Sequence, residues 1–463
     1  MLFSDNKIAK QIVHFNTDTI FDLAVGKYIR GHNGKWLLDG GISTLMTAVT
    51  GRQQCYKSTL SQSLMTRTML LYDSIEGMIY DSETSLLDPY ARFSFFYGDA
   101  AATELMKRMK VYNKTTHAMG DMFDLVMRTA KQKRNSIKDF TVESPFVDVE
   151  TGKKLKVTIP SIVLFDSYTY MMSIVELEKY EEVSIEDSTT NTLAMTDARS
   201  KSKFTRAASD FCPNSGIALM STAHVGSKVE ISKYAISPKQ LQFQKTGDTI
   251  KSVGTGYSFL NSILIQTGSP KVMVASSKKD ECMYPIDGGT GAEVIETQVV
   301  IQRCKNNSSG DVLSFIFSQH EGFLSEVTNY HLLKSNKYYG LDGSKISHHL
   351  SLYPDVKLSR TNIREKIKHD YKLVRALQLT AELCFIQTYW HTANIPFDID
   401  ISPIKLKEAI EDHPKLTMDE VLESRGYWSL DDKKEARKYL SIMDILEMIS
   451  QTQSNAKDKV KKQ

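Results

Sequence analysis

The chain has 463 residues, enough for two or three domains with sizeable buried cores. With 41% hydrophobic and 24% charged residues it falls among ordinary soluble globular proteins. Its formal charge of +3, from 58 basic and 55 acidic side chains, neither demands nor excludes nucleic acid, so any basic surface must be local.

In chain order, residues 1–30 read as a short helical arm, with Ile8, Ile12 and Phe15 at helical spacing, ending in a turn cluster from Arg30 to Gly34. Such an arm is too small to fold alone and must pack on its own core or on a neighbour. From Lys35 to about Leu333 strands and helices alternate, which favours a parallel or mixed sheet with crossover helices.

The stretch Thr47–Arg67 reads as a strand (Thr47–Val49), a loop from Gly51 to Lys57, and a helix opening at Ser58 or Thr59 with Leu60, Leu64 and Met65 on one face. A loop feeding a helix N-terminus aims unpaired backbone N–H groups and the positive end of the helix dipole at one spot, which suits a triphosphate. Gly51, Arg52, Gln53, Gln54, Cys55, Tyr56, Lys57, Ser58 and Thr59 are therefore candidate nucleotide-binding residues. Lys57 would reach the phosphates and Ser58 would take a place on Mg²⁺. Against the pattern G-x-x-x-x-G-K-[ST], Tyr56 stands where the second glycine belongs, which removes the free choice of positive φ and adds bulk. The plainer alternative is a strand–turn–helix with a solvated lysine.

Gly77–Asp81 reads as a buried strand leading to Glu83, and helices follow at about 101–111 and 119–131. Phe146–Val157 reads as a hairpin turning at Glu150–Lys153. The apolar run Ser161–Phe165 closes on Asp166, as a central strand with an acid at its carboxyl end. Ligands of parallel sheets bind outside those ends. Asp166 suits the magnesium acid of a nucleotide site, and Glu83 could orient or deprotonate an attacking water. Taken singly, each acid could equally be a helix cap or a solvated strand end. Ile217–His224 is a further strand whose terminal histidine shares that edge and could sense a γ-phosphate, although a lone histidine is usually structural.

Two long polar stretches follow this logic outward. Residues 181–202 carry Arg199 and Lys201, and Val225–Thr255 carries Lys228, Lys233, Lys239, Lys245 and Lys251 with Phe243 among them. Lysines neutralise phosphates and aromatics stack on bases, so these are candidate DNA-binding residues, the alternative being a solvated surface loop. Val294–Val300 and Val312–Phe317 read as an antiparallel pair. Residues 334–463 read as mostly helical, with helices at Thr361–Thr388, Pro403–Glu411 and Lys433–Ile449 and a basic tail. Five scattered cysteines without metal-ligand spacing argue for reduced thiols in a cytosol-like compartment. No apolar run approaches ~18 residues, so no membrane partner is expected.

Together these motifs resemble a RecA-superfamily ATPase, most closely the UvsX-type phage recombinases. In those recombinases an aromatic likewise precedes the Lys-Ser of the phosphate loop, as Tyr56-Lys57-Ser58 does here. The resemblance assigns Glu83 as catalytic glutamate, Tyr90 as adenine-stacking tyrosine, Asp166 as the Walker B acid and His224 as the polar sensor. It places two DNA-binding loops near Glu186–Ser202 and Gly226–Thr255, and a motif reaching a neighbour's γ-phosphate at Arg303 and Lys305. Where RecA has a second lysine, Asn307 stands here.

The implied fold is α/β: a RecA-like core with a mostly parallel sheet over residues 35–333, an oligomerisation arm over 1–34 and a helical C-terminal domain over 334–463. The implied function is ATP- and Mg²⁺-dependent strand exchange by a helical homo-oligomer on single-stranded DNA paired with a homologous duplex, with single-strand-binding and mediator proteins as further partners. The expected location is the cytoplasm, the host's if the chain is phage-encoded. The alternatives are a hexameric DnaB-type helicase and a DNA-binding scaffold whose ATPase has decayed.

Overall fold

A computed structural model describes residues 13–115, 117–173, 176, 178, 190–227, 241–254, 256–275, 278–286, 291–390, 402–431 and 433–461. The architecture is α/β, with helices packed on both faces of a large mixed, mostly parallel sheet.

The central strands are β1 (Thr47–Gly51), β2 (Glu76–Asp81), β3 (Met109–Asn113), β4 (Ser161–Asp166), β5 (Ile217–Ser227), β6 (Ile263–Thr267), β7 (Val294–Cys304), β8 (Val312–Ser318) and β9 (Gly322–Phe323). Across the sheet they run β9-β8-β7-β6-β1-β5-β4-β2-β3. From β6 to β3 neighbouring strands are parallel, whereas β7, β8 and β9 join by antiparallel pairing.

The apolar runs read from the sequence are explained by burial on both faces. In β4, Ile162 and Leu164 face one core while Val163 and Phe165 face the other; in β5, Ala218 and Met220 oppose Ile217 and Leu219. The first core takes Leu60, Leu64, Met65 and Met69 from helix α1 (Lys57–Leu71). The second takes Met122, Phe123 and Val126 from α2 (Met119–Asn135) and Phe204, Ala208 and Cys212 from α3 (Thr190–Ser215).

β1 lies between β5 and β6. The chain leaves β1 towards β2 on one side and leaves β5 towards β6 on the other, so the two neighbours part in opposite directions. A crevice opens at such a switch point, outside the carboxyl ends.

The segment expected to be a helical arm is different where it is described. His14–Phe15 is a strand paired with Ile42–Ser43, followed by a short helix Ile20–Val25 and a hairpin of Lys27–Arg30 with Trp36–Asp39. Ile8 and Ile12 lie outside the described residues. Phe15 is buried because Trp428, from the far end of the chain, packs on it at 5.4 Å between ring centroids and also meets Tyr72 at 5.2 Å and Phe146 at 5.1 Å. The Trp428 indole N–H donates to the Leu38 carbonyl at 3.1 Å. Phe146 belongs to the hairpin of Thr141–Val147 with Lys154–Thr158, so that hairpin is held to the body by the same tryptophan.

The C-terminal region also departs from an all-helical reading. It opens with a three-stranded sheet, Leu341–Gly343, His348–Leu350 and Tyr353–Leu358. The helix expected over 361–388 is split in two, Ile363–His369 and Tyr371–Tyr389, because Asp370 adopts an extended conformation and caps the second by accepting from Leu373 N–H. Pro403–Glu411 is helical as expected, and the last helix starts at Ile442. Among the described residues no helix is long and apolar enough to cross a membrane.

Candidate active site

The loop after β1 is built by close approach and by strain. A side chain at Gly51 would meet the Thr267 hydroxyl of β6 at 2.2 Å, so only glycine lets the two strands end side by side. Gln54 and Tyr56 both take left-handed backbone, with φ of 56° and 59°. Tyr56 therefore keeps the conformation a glycine would supply, at a cost of about 1 kcal/mol or more. Its ring stacks on Phe317 with centroids 5.0 Å apart, which offsets that strain through packing. Glycine is absent from this position, yet the turn it would make is present.

Helix α1 begins at Lys57, and its first backbone bond runs from Leu60 N–H to the Tyr56 carbonyl at 2.9 Å. The N–H groups of Lys57, Ser58 and Thr59 thus point out of the N-terminus. Lys57 curls over the loop and donates to the Arg52 carbonyl at 2.7 Å. Burial pulls its ammonium below the ordinary lysine value, opposed by Cys55, Asp166 and Glu83.

Asp166 closes β4 and is almost fully buried. It accepts from Thr222 at 2.7 Å, from Ser58 at 2.9 Å and from Gln62 at 3.2 Å. Burial pushes its carboxyl up, and the Thr222 and Ser58 hydroxyls pull it back. The Asp166–Ser167 peptide bond is cis.

Glu83 sits on a turn that Asp81 shapes: the Asp81 carboxylate accepts from Glu83 N–H at 3.0 Å and from the Ser85 hydroxyl at 3.2 Å. One Glu83 oxygen is 3.2 Å from Nε2 of His224, whose Cα is paired with that of Gly51 across β5 and β1. Burial and the nearby Lys57 charge hold the His224 imidazole below its ordinary value, against the hydrogen bond to Glu83 and the charge of that carboxylate. His224 N–H donates to the Thr169 hydroxyl at 2.9 Å, and its carbonyl accepts from Lys251 N–H at 2.8 Å.

These groups face one cleft of 1250 Å³, lined by Lys57, Ser58, Glu83 and His224, among others. The donor set fits a nucleotide with magnesium: a hydroxyl and a carboxylate at 2.9 Å, an ammonium and a helix N-terminus for phosphates. Among the described residues no group of three or more His, Cys, Asp or Glu could hold a metal alone. Magnesium does not need one, since it keeps waters and shares phosphate oxygens.

Other expected site residues lie elsewhere. The Arg52 guanidinium turns away from the cleft to Asp248 at 3.0 Å and the Ser227 hydroxyl at 3.1 Å. Tyr90 is exposed on the first turn of α4 (Pro89–Tyr97) and does not line the cleft. Arg303 and Lys305 end β7, which is antiparallel, so they sit beside the start of β6 at the edge opposite Gly51. Asn307 donates to the Leu23 carbonyl at 3.1 Å, fastening the Ile20–Val25 helix.

The first expected DNA loop is corrected: from Thr190 the chain is helix α3, and Lys201 is buried, its ammonium 3.0 Å from Asp197 and 3.0 Å from the Thr169 carbonyl. A lysine so paired has no path to phosphate in this conformation. Arg199 is exposed on the same helix. Phe243, Lys245 and Lys251 are exposed, while Lys228, Lys233 and Lys239 fall outside the described residues.

Sequence reasoning missed Gln62, one helical turn beyond Ser58 and so on the same face, and Arg92, which lines the cleft from α4. No family model matches the chain, and no curated protein matches it either.

Proposed function

We propose that this chain is an ATP-dependent DNA recombinase of the RecA superfamily, forming filaments on single-stranded DNA and pairing it with a homologous duplex. The observation that carries the reading is the cleft at the switch point, where Lys57, Ser58, Glu83 and His224 meet with Asp166 behind Ser58. Lys57 would exchange the Arg52 carbonyl for phosphate oxygens. Ser58 and Asp166 would hold magnesium, which supplies charge neutralisation of the phosphates when bound. Glu83, half-exposed at the cleft, would orient the attacking water and accept its proton.

The Glu83–His224 contact supports a coupling of hydrolysis to DNA. His224 is three residues from the end of β5, which leads directly into the lysine-bearing stretch, and its carbonyl holds Lys251 on the returning strand. A ligand that draws Glu83 towards its terminal phosphate would break the 3.2 Å contact and free the imidazole. Arg303 and Lys305, on the far edge of the sheet, would act on a second copy's nucleotide and not on their own.

Electron microscopy of the protein on long single-stranded DNA, with and without a non-hydrolysable ATP analogue, tests the reading. Nucleotide-dependent helical filaments support the recombinase. Closed six-membered rings replace it with a DnaB-type helicase, and absence of nucleotide-dependent assembly favours the decayed-ATPase scaffold.

A further inference from the structure

We propose that Arg92 is a phosphate-binding residue of this cleft, delivering its guanidinium to the terminal phosphates of a nucleoside triphosphate held by the same chain. The inference rests on the nucleotide reading above and assigns a residue that reading does not use.

The sequence fixes α4 firmly enough to aim this side chain. Asp88 caps the helix by accepting from Ala91 N–H at 2.9 Å, Pro89 occupies the first turn, and Phe93 is wholly buried. With Phe93 pinned in the core, its neighbour Arg92 is left on the cleft wall, among the residues that line it with Lys57 and Glu83.

What the guanidinium meets there is unusual for an arginine out of full solvent. Its close contact is the face of Phe96, with the guanidinium carbon 4.7 Å from the ring centroid. Among the described residues it makes no hydrogen bond and no ion pair. Arg30, Arg67 and Arg360 are instead bonded to Glu447, Glu326 and Glu281, while Arg303 resembles Arg92 in meeting a ring, that of Phe259 at 5.9 Å.

Burial pulls the Arg92 charge down, and the influence that most opposes it is Asp166, the carboxylate that Ser58 holds at the mouth of the phosphate loop. Arg92 lines the same cleft as Lys57, Ser58 and Glu83, into which the outer phosphates of a triphosphate held by the loop would project. A planar guanidinium presents a fork of N–H donors that matches phosphate oxygens, and an arginine already stacked on an aromatic ring loses little freedom in engaging them. A partly desolvated guanidinium that faces a cleft with no hydrogen-bonded acid among the described residues can be completed by an anionic ligand.

The test measures equilibrium binding of a non-hydrolysable ATP analogue and of ADP to the full-length protein without DNA, for the unchanged chain, Arg92→Leu and Arg92→Lys. Arg92→Leu keeps bulk over Phe96 and removes the charge. Loss of a charge-assisted contact should weaken the triphosphate roughly tenfold to a hundredfold and ADP by less than about threefold. Arg92→Lys keeps the charge without the fork and should lie between. If Arg92→Leu melts early, Arg92→Lys decides: a loss confined to the triphosphate supports the proposal, and none overturns it.

Equal losses for both nucleotides overturn the assignment, since a merely structural arginine would affect both alike. Triphosphate binding indifferent to both variants overturns it while leaving the nucleotide reading intact. An unchanged chain that binds neither nucleotide overturns that reading and this proposal with it.

Discussion

Buried cations are treated in opposite ways at the two ends of this molecule. In the C-terminal body, Arg364 is 3% exposed and donates to Glu293 at 2.9 Å, to the Tyr284 carbonyl at 2.9 Å and to Glu321, which also takes Lys368 at 2.6 Å. At the cleft, Lys57 is 5% exposed and its ammonium is held by a backbone carbonyl alone among the described residues, while Arg92 has a ring face. A buried charge costs stability unless a partner compensates it. The body supplies acidic partners from its own chain, whereas the cleft sets no acid in hydrogen-bond contact with either cation among the described residues.

The sharpest way to break that contrast is to remove one cation from each region. Arg364→Ala leaves the partly buried Glu293 without its arginine and Glu321 with Lys368 alone, and should cost roughly 3 kcal/mol, read as a lowered denaturant midpoint. Lys57→Ala should reduce ATP turnover at least about a hundredfold yet leave the melting temperature unlowered, because it removes a desolvated charge and a single hydrogen bond. If Lys57→Ala destabilises as much as Arg364→Ala does, the two regions are alike and the contrast fails.

Trp428→Ala comes next, at roughly 3–5 kcal/mol for a large buried aromatic, measured by the same denaturant titration. It also shows where the sequence ceases to be readable. Trp428 gathers Phe15, Tyr72 and Phe146, residues whose only relation is spatial, and nothing in local periodicity announces that meeting. By contrast, the strand–loop–helix at β1 and the β4 strand were legible, because a loop feeding a helix start and an apolar run ending in Asp166 are local patterns with local causes.

Lys201 and Arg92 fall between these cases. Lys201 looked like a loop lysine, but its four-residue spacing from Asp197 on a helix turns it inward. Arg92 carries no local signal of its own, and only the buried Phe93, which sets the rotation of α4, leaves it on the cleft wall. Arg52 was read as a nucleotide-loop residue; its carbonyl holds the Lys57 ammonium, while its side chain pairs with Asp248.

A pH series sharpens the comparison from the carboxylate side. Burial pushes the Glu382 carboxyl up to about 7, against Arg375 at 3.6 Å and with Asp18 and Asp22 adding to the rise; burial likewise pushes Asp22 up to about 7. A carboxyl raised in the folded state holds a proton that the unfolded chain releases. Its contribution is complete below the unfolded value of about 4.5 and is lost as pH climbs through the folded value. Glu382→Gln removes the part due to this group. The melting temperature of the variant relative to the unchanged chain should therefore rise between about pH 5 and pH 8. A variant-minus-unchanged difference that stays flat or falls over that range means the carboxyl is not raised, with Arg375 compensating it as Glu293 and Glu321 compensate Arg364.

The smallest change expected in stability falls on the pair that joins the cleft to its surroundings. Arg52 is half-exposed and reaches Asp248 and Ser227, the two sides of the stem that carries the lysine-rich stretch, while its own carbonyl holds the Lys57 ammonium. An ion pair that open to solvent contributes about 1 kcal/mol or less, so Arg52→Ala should hardly move the denaturant midpoint. Its effect should appear instead in coupling: ATP hydrolysis without DNA stays near that of the unchanged chain, and stimulation by single-stranded DNA falls. On the proposed reading, Lys57 turning to a phosphate would release the Arg52 carbonyl, and the guanidinium on Asp248 would carry that release to the stem. Stimulation that survives Arg52→Ala leaves the Glu83–His224 contact as the route between hydrolysis and DNA, because β5 reaches the same stem without passing through the phosphate loop.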